Sequence, residues 1–136
     1  MSKLEYFLNP TLQQETKEIV VSNRFKDEKG KPAKIKLRAI TQAENDALIK
    51  KCTYREKNRN GSITETFDKE KYTAQLILNC IIEPNFKSEE FVSKMGTADP
   101  VDAIRKLFLP GEYATISEAI LDLMGLTTNI GEQAKN

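Results

Sequence analysis

Histidine is absent from the sequence. With it go the commonest general base and the commonest transition-metal ligand, which argues against triad and metal-centred chemistry. Cysteine occurs only at Cys52 and Cys80, without the short paired spacing of a zinc or redox motif, and both fall on apolar faces of predicted helices, as buried free thiols of a cytoplasmic protein do. Glycine is sparse: Gly30, Gly61, Gly96, Gly111 and Gly125 stand singly at predicted turns and caps, so no glycine-rich phosphate loop exists. Neither sign of charge prevails. With 21 basic against 20 acidic residues and a net charge of +1, there is no global field to draw in nucleic acid or an acidic membrane. No apolar run approaches the ~18 residues of a membrane span, and the opening ten residues hold too short an apolar core for a signal peptide. Acidic pairs such as Asp27-Glu28 and Glu89-Glu90 stand beside lysines or at helix starts, where they read as solvated or helix-end charge. The expectation is a protein that is not an enzyme, with no catalytic residues, cofactor or metal.

The 136 residues suit one domain, expected over 1–126, burying roughly two thirds of the surface its unfolded chain would expose. The densest apolar run, Tyr72 to Pro84, predicts a central helix over Lys69–Ile82, with Asp68 as N-cap and Pro84 disfavouring helical dihedrals at Glu83. Before it, the cluster Leu4, Tyr6, Phe7, Leu8 is either a short helix or a docking arm, broken by Asn9-Pro10. Glu18 to Phe25 and Ile35 to Ile40 flank a polar turn and predict a hairpin, with Ile35, Leu37 and Ala39 on its buried face. Thr41-Gln-Ala-Glu44 reads as a capping box opening a helix with Ala43, Ala47, Leu48 and Cys52 inward. A second hairpin, Cys52 to Glu56 with Ser62 to Phe67, turns at Asn60-Gly61.

Beyond Pro84 come short helices. Ser88 starts one that carries Phe91, Val92 and Met95 and stops at Gly96. Asp99-Pro100 starts the next, with Val101, Ile104, Leu107 and Phe108 on one stripe. The last runs from about Glu112 to Met124 and ends at Gly125. Residues 127–136 are polar and aperiodic, as a disordered tail is. The fold class is therefore α+β: a small antiparallel β-sheet from two hairpins packed on a predominantly helical C-terminal half. The lysines near Phe25 invite a nucleic-acid reading, but Asp27 and Glu28 interrupt them, and lysine-rich edges also keep strands from pairing with other chains. No nucleic acid and no membrane is expected as a partner. The apolar stripes of the short helices suit a core, and also a groove for an apolar partner helix.

In this order and spacing the hairpin Val21-Ser-Asn-Arg-Phe-Lys-Asp27 to Pro32, the entry Arg38-Ala-Ile-Thr-Gln-Ala-Glu-Asn45, the run from Tyr72 to Pro84 and the turn Leu107-Phe-Leu-Pro-Gly-Glu-Tyr113 form a recognisable pattern. It resembles the tail assembly chaperones of phages and defective prophages of Gram-positive bacteria, the PBSX type found in contractile-tail gene clusters. The likeness spans about residues 6 to 126. It implies a chaperone in the bacterial host cytoplasm that binds the tape measure protein and keeps it soluble and competent while the tail forms. It also implies two further partners: a frameshift-extended form of the same chain, and further copies in a homo-oligomer. Under this resemblance Phe91, Met95, Leu107, Phe108 and Tyr113 line a client groove, with a methionine able to repack. The alternative is a structural tail component or adaptor retained in the particle, using its hairpins for strand addition.

Overall fold

The computed structural model describes residues 3–8 and 16–126. The expected tail over 127–136 and the breaker at Asn9-Pro10 lie outside the described residues. A single helical turn, Glu5–Leu8 (α1), comes first. Strand Thr16–Val20 (β1) then pairs antiparallel with Lys34–Arg38 (β2), Ile19 opposite Ile35. The strand thus lies earlier than the predicted Glu18–Phe25 stretch, because the chain leaves the ladder at Val21 and pairs again only at the Lys26–Pro32 bridge. At the tip the Gly30 amide donates to Asp27 O at 3.0 Å and the Asp27 amide to Lys31 O at 2.7 Å. Gly30 takes φ +79°, the left-handed position of a three-residue hairpin loop that a side chain would strain.

Helix Gln42–Lys51 (α2) opens with the expected capping box, in which Thr41 Oγ1 accepts from the Glu44 amide and Glu44 Oε1 accepts from the Thr41 amide. Its inward face is narrower than the pattern suggested. Leu48 and the C-cap Cys52 are buried, whereas Ala43 and Ala47 are exposed, since α2 lies at the rim and packs chiefly on one neighbouring helix. Strands Thr53–Lys57 (β3) and Ile63–Phe67 (β4) form the second hairpin. Its tip repeats the first, the Asn58 amide donating to Ser62 O and the Gly61 amide to Asn58 O. Of the Asn60-Gly61 pair only the glycine takes a positive φ.

The central helix is Lys69–Cys80 (α3), capped by Asp68, whose Oδ1 accepts from the Lys71 amide at 3.0 Å. It stops two residues short of the expected Ile82. Ile81–Glu83 (β5) is instead a strand antiparallel to β2, Leu37 opposite Ile81 and Lys36 opposite Glu83. Two β-branched residues ahead of a proline-restricted Glu83 favour extended backbone, and the edge of β2 supplies the ladder. The α+β class stands, but the strands form two sheets among the described residues: β1-β2-β5, and β3-β4 by itself. The two hairpins do not share a sheet, because β5 takes the place beside β2.

Helices Glu89–Lys94 (α4), Pro100–Leu107 (α5) and Pro110–Leu123 (α6) complete the chain. The side chains of Ser88 and Asp99 accept from the amides of Phe91 and Val101. The core joins Leu37 of β2, Ile77 of α3, Ile104 of α5, and Ile116 and Ile120 of α6, all fully buried. Consecutive residues Leu76, Ile77 and Leu78 are buried, so α3 is enclosed on more than one side and meets α2, α5 and α6. Cys52 and Cys80 are free and fully buried. Burial pushes the Cys80 thiol up to about 11, so it packs as a neutral hydrophobe rather than reacting as a thiolate.

Leu37 lies where sheet and helices meet. Leu37→Ala is expected to cost about 2–5 kcal/mol in urea unfolding, with an unchanged slope, whereas Thr64→Ala on the exposed second hairpin should shift stability by no more than about 0.5 kcal/mol.

Candidate functional site

Three of the sequence patterns turn out to be joints between elements. Arg38, the last residue of β2, donates from Nη2 to Glu44 Oε2 at 2.9 Å and from Nε to the Asn79 carbonyl at 3.1 Å. This ties the sheet to the start of α2 and the end of α3. The Arg38 guanidinium, followed by the Thr41 amide, holds the Glu44 carboxyl below its ordinary range. At the next residue the Tyr72 hydroxyl donates to Asn45 Oδ1, fastening α2 to α3.

The third joint is the most buried. Glu112, in the first turn of α6, is 5% exposed. Its Oε1 accepts from Arg24 Nη2 at 2.6 Å and from the Leu109 amide at 2.8 Å. Its Oε2 accepts from Ser22 Oγ at 2.5 Å and from Arg24 Nε at 3.0 Å. Two donors per oxygen use the full accepting capacity of a carboxylate. Leu109, at the N-cap, has no side-chain oxygen to offer, so Glu112 supplies the cap from inside the helix and also benefits from the positive helix end. Arg24 Nη2 donates in addition to the Leu107 carbonyl at 2.6 Å, satisfying an acceptor at the end of α5. Its guanidinium lies 4.5 Å from the Phe25 ring centroid. The Arg24 hydrogen bonds, with those of Ser22 and Leu109, hold the Glu112 carboxyl down at about 2.

Beside this joint lies an apolar cavity of about 240 Å³ between the first hairpin, the Pro84–Phe86 segment and the α5–α6 turn. Val21, Phe25, Ala33 and Ile35 form one wall and Pro84 and Phe86 another, while Leu107 and Phe108 close it. Phe108 meets Phe25 at 5.8 Å and Phe86 at 5.6 Å, edge to face in each case. The exposed Lys34 is the charged residue of its lining. Glu112 and Arg24 thus fix the hairpin, which carries one wall, relative to the end of α5, whose Leu107 and Phe108 line the cavity.

The residues expected to line a client groove are distributed around this region. Leu107 and Phe108 line the cavity, Phe108 as a core side chain only 7% exposed. Phe91 packs on Phe86 at 5.0 Å and so backs the cavity wall. Met95, half-buried, is the C-cap of α4. Tyr113 faces a separate, more polar depression with Lys69, Glu70, Thr73 and Arg105. Phe25, Phe86 and Ala33 escaped the sequence reading because they come from loops, where no periodicity marks an inward side. Glu112 escaped it too, as an acidic residue at a helix start. The available signal was arginine at positions 24 and 38 of a stretch otherwise rich in lysine, since the planar fork suits two-point carboxylate binding.

The chain matches phage XkdN-like tail assembly chaperone proteins across residues 4–136. It belongs to that family. Two similar proteins come from Bacillus subtilis strain 168. The uncharacterized protein YqbN is 31% identical over 139 residues, covering 98% of this chain and 93% of YqbN. The phage-like element PBSX protein XkdN is 29% identical over 138 residues, with the same coverage. The crystal structure of YqbN superposes with a TM-score of 0.66 at 28% identity, over 82% of this chain and 85% of that one. Among the described residues of this tail assembly chaperone, no helix is long and apolar enough to cross a membrane. No cluster of acidic or cysteine side chains among them is suited to a metal ion.

The low value for Glu112 has a measurable consequence. A carboxyl held at about 2 when folded, against an ordinary 4.5, leaves the native state with fewer bound protons than the unfolded chain between those values. Its contribution is therefore full above about pH 4.5 and lost as the pH falls towards 2. The urea midpoint is expected to drop across this window in the native sequence. In Glu112→Gln the drop should be shallower by about one proton's slope, from a lower starting midpoint at pH 7.

Proposed function

We propose that this tail assembly chaperone binds the tape measure protein of its tail and keeps it soluble until the tube forms around it. The observation that carries the reading is the aromatic-walled cavity beside the Arg24–Glu112 joint. A long tail protein waiting for assembly presents apolar helix faces to water. A cavity with Phe25, Phe86, Leu107 and Phe108 in its walls takes an apolar side chain of such a face and removes it from water. The work is done by burial, so no bond is made or broken and no cofactor takes part. The site is the bacterial cytoplasm, and a frameshift-extended form of the same chain would carry the same cavity. Phe91 acts from behind Phe86, while Met95 and Tyr113 lie outside the cavity lining.

Rigidity is part of the mechanism. A cavity whose walls are already fixed spends little binding free energy on ordering them. The client is held by a few inserted side chains rather than by a large interface, which suits a contact that must release as the tube advances.

Phe108→Asp is a poor probe, because it puts a carboxylate into the core. Ala33 is half-buried in the wall and suits the purpose better. With the tape measure protein co-expressed, Ala33→Asp is expected to keep its thermal midpoint within a few degrees while soluble client falls roughly tenfold, the loss of about 1.4 kcal/mol of affinity. Undiminished soluble client with folded Ala33→Asp would remove the cavity from the client site.

A further inference from the structure

The cavity beside the Arg24–Glu112 joint is apolar except for Lys34, the first residue of β2, whose exposure places it at the mouth. The other cations of the first hairpin are placed differently. Arg24 is bound to the Glu112 carboxylate, Arg38 to Glu44 and Lys17 to Asp122. Lys36 stands in register between two acidic residues, Glu18 of β1 and Glu83 of β5. Lys26, Lys29 and Lys31 belong to the loop beyond the ladder, outside the cavity lining. Opposite Lys34 the ladder has Val20, which offers no charge and is 41% exposed. The Lys34 ammonium makes no ion pair or hydrogen bond among the described residues.

We propose that Lys34 determines which client segment the cavity accepts: the helix that seats a large apolar side chain there carries an aspartate or glutamate about one turn from it, and that carboxylate pairs with the Lys34 ammonium. This rests on the reading of the cavity as the client site. At about 240 Å³ the cavity is smaller than the roughly 300–1,000 Å³ of pockets that enclose a drug-sized ligand, and it suits one side chain of a larger partner. Residues three or four apart on a helix are neighbours, with about 5–6 Å between their Cβ atoms, so an acid one turn from the anchor reaches the cavity rim. The exposed Val20 beside Lys34 gives the rest of that turn an apolar surface to lie on. A nucleic acid fits less well, because phosphates are held by several cations at once, and here one lysine stands against apolar walls. Burial alone accepts any apolar helix face, whereas a charge at the rim rejects the wrong face and fixes the register of the right one.

The tagged tape measure protein is co-expressed with the native chain, Lys34→Arg, Lys34→Gln or Lys34→Glu, with Ala33→Asp alongside, and the chain retained on the client is measured at about 0.05 M and about 0.5 M salt. Position 34 is exposed, so each variant there is expected to keep its thermal midpoint within a few degrees. At low salt, binding should stay near native in Lys34→Arg, fall about threefold in Lys34→Gln and fall at least about tenfold in Lys34→Glu, and at high salt the native chain and Lys34→Gln should converge. With p-benzoylphenylalanine at position 34, cross-links should map to a client peptide with an acidic residue three or four positions from a large apolar one. Reversing that acid to lysine should restore binding to Lys34→Glu. If Lys34→Glu binds like the native chain while Ala33→Asp loses the client, the carboxylate contact is overturned and the cavity stands as the client site. Equal losses in all three Lys34 variants, or a reversed client that fails to rescue Lys34→Glu, would overturn the contact as well. A native chain that does not bind the client, or an Ala33→Asp chain that binds it fully, would remove the cavity from the client site and this proposal with it.

Discussion

A carboxylate taken out of water must recover in donors what it loses in hydration, and a buried ion left half-satisfied destabilises whatever encloses it. Glu112 finds four donors, from Ser22, the Leu109 amide and two nitrogens of Arg24. The arrangement is only possible when the loop after β1 lies against the α5–α6 turn, because its donors come from both. A well-packed apolar pair at these positions could match its stability, but it would not dictate one relative placement of hairpin and helices. The carboxylate does, since any sliding of the hairpin strands it among missing donors. Arg24 extends the constraint by taking the Leu107 carbonyl as well, so the end of one helix, the start of the next and the first hairpin are referred to a single guanidinium.

The cavity is a consequence of that placement. Its walls come from the hairpin on one side and from Phe86, Leu107 and Phe108 on the other, and nothing covalent joins them nearby. On the proposed reading, this is the apolar surface that receives a client, and it must neither collapse on itself nor spread into a general sticky patch. Edge-to-face rings around Phe108 keep the lining packed, and the polar joint beside it holds the walls apart. Polar satisfaction and apolar exposure are thus two sides of one device. The Arg38–Glu44 contact does the same for the opposite end of β2, so the sheet is held to the helices at both ends.

What was legible in the sequence was what acts over three or four residues. Thr41 with Glu44, Asp68, Ser88 and Asp99 cap the helices that their spacing announced, and Gly96 and Gly125 take the positive φ of helix ends. Leu37, Ile77, Ile104, Ile116 and Ile120 form the core, and each lies in a segment with apolar periodicity. The third strand was not legible. Ile81 and Ile82 continue an apolar helical pattern, and only the free edge of β2 turns them into a strand. The inward side of α2 was overread because alanine fits either environment. In the site, Leu107 and Phe108 were legible as large apolar residues on a stripe, whereas Phe25 and Phe86 lie in loops and join them only in three dimensions. The resemblance rested on Arg24-Phe25 and on the turn ending in Glu112-Tyr113 as separate pieces, and the structure joins them: Arg24 donates to the Glu112 carboxylate.

A double-mutant cycle between Arg24 and Glu112 tests this account most directly. Arg24→Leu, Glu112→Leu and the double variant are unfolded in urea at pH 7, with amide exchange of Ala33 and Asp27, the hydrogen-bonded amides of the hairpin, followed in each. If the two side chains form one joint, each single variant loses stability and protection at the hairpin, and the double variant costs clearly less than the sum, because neither charge is left without its partner. Costs that simply add, with hairpin protection unchanged, would mean that the hairpin is held by apolar packing alone and that the buried carboxylate does not position the cavity.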